Sequence, residues 1–564
     1  MNTMLDNIRL GLYAILVILS FLMWTAWNTD YPKKQTIASQ TQANVTSSER
    51  IAPALANSFS QTNVQDKTAT SQTAVSSIVP APLAKGEMIS ITTDVFNVKI
   101  DTRGGDIVEV NLLKYPAELG SSTPFLLMND DAKTRYIAES GLLSTNGPDT
   151  SKEQALYTTP NLTYTLEPNQ RNLLVKLNWE RNGIKVTKIF TFVRDSYQIQ
   201  VAYQIDNQSQ QTWQGSLYTQ LMRTNTPPSN HSGLMNLTTY FGAAISTPEK
   251  RFEKIPFKSM QETTLKQMVQ GGWAAMIQHY FISAWVPEKT APNSYYTHVT
   301  SSGLYTIGMV GQPLTVAPGA SSIVDAKLYA GPAIADRLEA ATPGLQLTID
   351  YGWFWFISVA IFWMMQKIYN VIGNWGWSIV LVTLIIKLLF YQLSNKSYRS
   401  MSAMKKLQPK IERLKERLGD DRQKLTQETL NLYRQEKVNP MSGCLPILIQ
   451  IPVFIALYWV LVESVQLRQA PFILWINDLS KPDPYYILPL LMGISMFLQQ
   501  RLNPPPPDPM QAKVMMMMPI VFTILFANFP AGLMLYWFVN NSLSFLQQWH
   551  IMHRMEKEVK TKKA

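Results

Sequence analysis

The stretch Trp377-Ser-Ile-Val-Leu-Val-Thr-Leu-Ile-Ile-Lys387-Leu-Leu-Phe-Tyr391 reads as a membrane-spanning run with a lysine inside it. Lys387 lies about ten residues, or roughly 15 Å of helix, from the first tryptophan, near the middle of a ~30 Å hydrocarbon layer. A charge at that depth costs at least ~2.5–3.5 kcal/mol on insertion scales, so the residue is a functional-site candidate. Snorkelling is the competing account. The helix is expected to continue about eight residues to Asn395 and Lys396, some 12 Å, and a lysine stem reaches about half that distance. Partial snorkelling is therefore open to it and full escape to the headgroups is not, which favours a functional cation in a wet cavity.

Outward from this run the chain divides in two. Its 564 residues average a mean hydropathy near zero, yet 28–343 are polar in character while 351–549 are dominated by Leu, Ile, Met, Phe and Trp. Such a split describes a membrane protein carrying one large extramembrane domain. The net charge is +11, with twelve Lys/Arg against six Asp/Glu between Ser394 and Pro440 and a second basic run from Arg554 to Lys563. The single cysteine, Cys444, excludes an internal disulfide and sits in an apolar run, so it says nothing about redox compartment.

Counting spans uses charge as well as hydropathy. Residues 1–27 read as an uncleaved signal anchor with its N-terminus inside, because no small-x-small cleavage site follows Leu10–Trp27. Residues 28–88 are rich in Ser, Thr, Gln and Ala, the composition of a disordered tether. From Ile89 the period becomes two. Phe96, Val98 and Ile100 alternate with polar residues, as do Val175, Leu177 and Trp179 before an Asn182-Gly183 turn, and Tyr197 to Ile205 after it. About 250 such residues, here 89–343, predict a large antiparallel β-sandwich. His231, His279 and His298 show no metal-ligand spacing, no nucleophile motif is present, and no cofactor is expected.

If both 351–365 and 377–393 crossed the bilayer, the basic segment 394–440 would share a side with the β domain, against the positive-inside rule. The aromatic segment 344–371 is therefore expected to lie in the interface. Further spans over 444–462, 485–500, 513–528 and 531–549 bring the transmembrane total to six, five of them within a helical core of 372–564. The segment 396–437 reads as a helical hairpin, with Met401, Met404, Leu407, Ile411, Leu414 and Leu418 on one stripe, Gly419 as the stop, and Asp420 with Gln423 as a capping box. Its cations Lys405, Lys406, Lys410, Arg413, Lys415 and Arg417, with the basic tail, suit anionic lipid or RNA-bearing particles rather than DNA.

No Asp or Glu lies inside the five C-terminal spans, so Lys387 is expected to face water, lipid phosphate or a transient partner. The fourth and fifth spans are short; 485–498 gives roughly 21 Å of helix, which implies local bilayer thinning. Met515–Met518 suit varied apolar partners or plain lipid contact. Asn540, Asn541 and Ser542 fit both helix–helix glue and a wet cavity.

The string Gly373-Asn-Trp-Gly-Trp-Ser378, with the charge in Thr383-Leu-Ile-Ile-Lys387, resembles the YidC family of membrane protein insertases. So do Leu407-Gln-Pro-Lys-Ile411, Glu416-Arg-Leu-Gly-Asp-Asp421, Glu436-Lys-Val-Asn-Pro440, Gly443-Cys-Leu-Pro446, Leu467-Arg-Gln-Ala-Pro471, Asp483-Pro-Tyr-Tyr486 and Phe529-Pro-Ala-Gly532. The large β domain is similar to the Gram-negative version, with a supersandwich fold. The resemblance implies an inner-membrane protein with both termini cytoplasmic and the large domain periplasmic. It also implies a groove open to cytoplasm and lipid, lined by Lys387, Thr383, Gln450, Tyr536, Trp537, Asn540 and Asn541. The family's usual arginine and Tyr-Tyr pair are here Lys387 and Tyr536-Trp537; lysine keeps the charge and loses the bidentate fork.

The resulting expectation is a non-enzymatic insertase and chaperone for nascent membrane proteins. It would work in the lipid bilayer alone or with the Sec translocon, and the basic hairpin and tail would meet ribosomes and targeting factors. A small-solute transporter using Lys387 and a membrane-tethered carbohydrate-binding module are the alternatives. Deleting 89–330 separates them, since an insertase core survives that deletion and a binding module does not.

Overall fold

A computed structural model describes residues 86–150, 153–227, 239–419, 421–438, 445–503 and 509–563. The expected anchor over 1–27, almost all of the tether over 28–88, His231 and Cys444 fall outside them. The alternating segments form strands. Phe96–Asp101, Asn172–Arg181, Ile184–Val193 and Gln198–Asn207 bury alternate residues, among them Val98, Val175, Val186, Ile199, Val201 and Tyr203. Arg181 pairs with Ile184 across Asn182 (φ 53°) and Gly183 (φ 76°), a two-residue hairpin whose central residues both need positive φ.

Two sheets result. One has eight strands, ordered Glu253–Ile255, Gly242–Ser246, Trp273–Gln278, Phe281–Val286, Ser321–Pro332, Gln198–Asn207, Ile184–Val193, Asn172–Arg181. The other has eleven. Its path runs from Lys266–Gln270 through Pro292–Val299, Leu304–Gly311, Trp213–Thr224, Tyr136–Leu143 and Asp106–Pro116 to Phe96–Asp101, Met88–Thr92 and Thr163–Thr165. Pairing is antiparallel as expected, except that Met88–Thr92 and Thr163–Thr165 run parallel. Lys188, fully buried on the eight-stranded sheet, donates to the carbonyls of Gly104 (2.9 Å) and Ser140 (2.8 Å) on the other sheet. Burial draws its pKa down to about 8, against the opposing pull of Asp106, Asp149 and Glu139.

The chain then turns helical: α1 (Phe257–Glu262) and α2 (Ala335–Ala341) belong to the β domain, and α3 (Trp355–Ile372) opens the apolar half. It continues with α4 (Trp375–Leu389), α5 (Tyr391–Leu418), α6 (Arg422–Gln435), α7 (Leu445–Glu463), α8 (Ile487–Leu502), α9 (Pro509–Phe526) and α10 (Ala531–Lys563). Among the described residues α3 alone is long and apolar enough to cross a membrane, and α4 with α5 passes as a pair bent by 68°. By length and composition the described residues thus give one span, or two with the bent pair, and the first of the six expected spans lies outside them. The apolar helices 448–463, 487–502 and 512–526 are short, at roughly 23 Å each against a ~30 Å layer.

Four expectations change. The helix of Lys387 ends at Leu389 and breaks at Phe390, instead of running straight to Asn395 and Lys396. Beyond the break the apolar face narrows to a stripe, and bending lays Ser394, Ser397, Tyr398 and Ser402 into the interior. The hairpin's first helix accordingly begins at Tyr391, not 396, and its stripe buries Met404 and Leu407 and half-buries Met401, Ile411, Leu414 and Leu418. Asp421, not Asp420, caps α6, accepting from Lys424 N at 3.0 Å; the third helical position is then Lys424, and Gln423 cannot close a box. Finally, α3 starts only at Trp355 and α10 runs through 549 to Lys563, because neither Gly nor Pro follows to stop it.

The β domain docks on the segment after α7. Arg468 donates to the carbonyls of Pro116 (2.8 Å) and Ala117 (2.9 Å), its guanidinium 5.6 Å from the Phe125 ring centre and 5.9 Å from that of Phe281. A His279 ring nitrogen lies 2.8 Å from Val462 O, and Lys254 pairs with Asp350. Charge-assisted bonds of this kind contribute about 1.5–3 kcal/mol. Arg468→Ala in the full-length protein is expected to speed protease cleavage within 333–354 severalfold and to leave the unfolding of the β-sheet unchanged. Arg468→Lys should recover only part of the protection, since the planar fork is lost; equal cleavage rates in all three proteins would remove Arg468 from the dock.

Candidate functional site

The motif before Lys387 is a joint. Gly373 (φ 73°) ends α3 in the left-handed region, and the Asn374 side chain caps α4 by accepting from Trp377 N at 3.1 Å. Asn374 also donates to Phe472 O at 3.1 Å, while Trp375 stacks on Tyr369 with ring centres 4.3 Å apart. A Cβ on Gly376 would overlap the Phe472 ring, so a residue without one is required there. The joint fixes where α4 begins, and with it the depth of Lys387.

Lys387 occupies the last turn of α4 and is 7% exposed. Its Nζ donates to Ser544 Oγ on α10 at 2.5 Å, and among the described residues it makes no ion pair. The bundle itself supplies a hydroxyl, a partner that the sequence reading did not name. Ser544 Oγ donates in turn to Asn540 O at 2.8 Å and is hydrogen-bonded to the Tyr398 hydroxyl. Asn540 Nδ2 donates to Gln450 Oε1 on α7 (3.3 Å), Asn541 Nδ2 to Ser495 Oγ on α8 (3.4 Å), and Gln548 Nε2 to Asn503 Oδ1 (3.0 Å). The buried residues Asn540, Asn541, Ser544 and Gln548 thus form one polar stripe on α10, directed at α4, α7 and α8.

Four of the expected groove residues, Lys387, Gln450, Asn540 and Asn541, meet on this stripe. Thr383 does not join it; its hydroxyl donates to Ile379 O at 2.6 Å, one turn back on its own helix. Tyr536 is buried among apolar side chains, and Trp537 packs with Phe454 (4.7 Å) and Phe526 (4.8 Å) between ring centres. Ser544, Gln548, Tyr398 and Ser495 were not anticipated. Their signal was present for α10, since 540, 544 and 548 repeat at four residues and share a face. The hairpin cations Lys405, Lys406, Lys410, Arg413, Lys415 and Arg417 are exposed, and Lys410 pairs with Glu436 on α6 at 2.6 Å. Among the described residues no group of three His, Cys, Asp or Glu is placed to hold a metal; His279 is engaged at the dock and His298 is exposed.

A family model of the YidC periplasmic domain matches residues 88–364, and one of the 60Kd inner membrane protein matches 367–558. A Legionella pneumophila (strain Lens) protein named membrane protein insertase YidC is 48% identical over 563 residues, covering 99% of both chains. The chain belongs to the YidC family. A Pseudomonas entomophila (strain L48) member with the same name is 46% identical over 567 residues, covering 99% of this chain and 100% of its own. A solved structure described as an active YidC insertase with the first transmembrane domain resolved is 18% identical, with a TM-score of 0.39, and covers 82% of this chain and 94% of that one. As a YidC-family member the chain is an inner membrane protein, with the β-sandwich as its periplasmic domain and a helical C-terminal region.

A cation held in an apolar bundle by neutral oxygens costs stability. Lys387→Met is expected to raise the thermal midpoint of the full-length protein in detergent, corresponding to about 1–2 kcal/mol, as relief of a functional strain does. A lowered midpoint would make Lys387 a structural anchor.

Proposed function

We propose that the chain inserts nascent membrane proteins into the bacterial inner membrane and helps them fold, alone or with the Sec translocon. The observation that carries this reading is one buried cation, Lys387, on a polar stripe between apolar helices that are short for a bilayer. In this reading six segments cross, both termini and the hairpin α5–α6 are cytoplasmic, and α3 lies in the interface with Trp353, Trp355, Phe356 and Trp363 exposed to lipid headgroups.

The mechanism follows from these groups. Helices of roughly 23 Å thin the local bilayer, and the Asn540–Gln548 stripe wets the cytoplasmic half of the groove. A polar client segment then enters over a lower barrier, and its carboxylates pair with the Lys387 ammonium. Trp537, beside Phe454 and Phe526, offers an aromatic wall for the client's apolar part. The apolar segment passes on to lipid, and its burial drives the process. No bond is made or broken, so the chain is not an enzyme. Lys405, Lys406, Arg413, Lys415 and Arg417 remain exposed for a ribosome or targeting factor, whereas Lys410 also braces the hairpin.

Two measurements test this. In proteoliposomes, Lys387→Arg should insert a client with an acidic translocated tail at near wild-type rate. Lys387→Ala should slow it about fivefold or more, the factor carried by roughly 1 kcal/mol of charge attraction. An unimpaired alanine variant would sink the charge-pairing step. Cosedimentation with ribosomes should weaken steeply between 50 and 200 mM salt, about tenfold or more if several phosphates are contacted; binding indifferent to salt would rule out an electrostatic dock at the hairpin.

A further inference from the structure

Three helices meet at one oxygen. Ser544 Oγ accepts from Lys387 Nζ of α4, is hydrogen-bonded to the Tyr398 hydroxyl of α5, and donates to Asn540 O of its own helix. A hydroxyl has one hydrogen to give and two lone pairs to offer. Lys387 Nζ donates to it, its own hydrogen goes to Asn540 O, and the Tyr398 hydroxyl is its third partner. Ser544 is 2% exposed and Tyr398 4%. It sits in the elbow of the 68° bend, because Lys387 precedes Phe390 and Tyr398 follows it. The lysine stem is flexible and its ammonium is a point charge with rotatable donors, so its position is set by whichever acceptor is nearest.

We propose that Ser544 is the positioning residue of the site: its hydroxyl parks the Lys387 ammonium against α10 at rest and yields it to an incoming client carboxylate. This rests on the reading that Lys387 receives acidic client segments. The choice of a hydroxyl is what makes the handover work. A neutral oxygen holds an ammonium well enough to define its place, and an ionised carboxylate adds the attraction of an opposite charge, so the client displaces the serine. A carboxylate at 544 would hold the amine permanently and refuse the client. The chain has no Asp or Glu on α10 before Glu556, which leaves the hydroxyl without an acidic competitor on its own helix.

The test uses the full-length protein in proteoliposomes and two clients: one with three aspartates in its translocated tail, and the same client with those residues changed to asparagine. Ser544→Ala should slow the aspartate client roughly five- to tenfold and leave the asparagine client at wild-type rate. Ser544→Thr, which restores the hydroxyl, should rescue it. Lys387→Ala with Ser544→Ala should be no slower than Lys387→Ala alone, since a positioning residue has nothing to position once the amine is gone. Ser544→Asp should block the aspartate client while Lys387 remains present. Equal loss on both clients, additivity with Lys387→Ala, or wild-type rates for Ser544→Ala would each overturn the assignment. If Lys387→Ala slows the aspartate client and Ser544→Ala does not, only the role of Ser544 falls. If Lys387→Ala itself is harmless, the charge-pairing reading falls with it.

Discussion

A positive charge inside an apolar bundle must find oxygen, and the arrangement of the helical half follows from how that need is met. The C-terminal helices carry no carboxylate in their apolar stretches, so Lys387 is given a hydroxyl instead of an ion pair. A buried pair would have been self-sufficient, with little reason to exchange partners. A hydroxyl leaves most of the ammonium's attraction unspent. The polar stripe of α10 exists on the same terms: Asn540, Asn541 and Gln548 each reach one amide or hydroxyl of a neighbouring element, and Gln548 Oε1 is left buried without a partner.

Placement of the cation depends on two breaks in the chain. The joint at Gly373 and Asn374 starts α4 against Phe472, and the bend at Phe390 ends it three residues after Lys387. Between them α4 has only 15 residues, about 23 Å. The bend also directs the amphipathic α5 into the hairpin, whose apolar stripe faces inward while its cations stay outside. One local change of direction therefore separates the apolar bundle from the basic, exposed face of the hairpin.

The β domain is attached through the ends of its strands and the loops between them. Arg468 reaches the carbonyls at the end of strand Asp106–Pro116, and His279 meets the end of α7. Within the sandwich, Lys188 ties one sheet to the other through two carbonyls, a second buried ammonium satisfied by neutral oxygens. There the nearby Asp106, Asp149 and Glu139 offset the cost of burial; at Lys387 no acid does so.

Period-two alternation from Phe96 to Ile205 and the Asn182-Gly183 turn were enough to specify the sandwich, because residue face and hairpin register are local properties of a strand. The stripe Met401–Leu418 specified the hairpin for the same reason, and the lone Lys387 was legible as a site since charge in an apolar run needs no neighbour to be noticed. The tertiary structure decided what the lysine touches. Ser544 lies 157 residues away, and the repeat of 540, 544 and 548 marks a polar face of α10 without saying which helix it meets. The break at Phe390 was likewise hidden, since no Gly or Pro stands there and both flanks favour helix. Thr383 and Tyr536 entered as groove residues through the family resemblance, and packing turns one onto its own helix and the other into the apolar interior. Depth follows from position along the chain, whereas the direction a helix face takes is set by what the other helices leave uncovered.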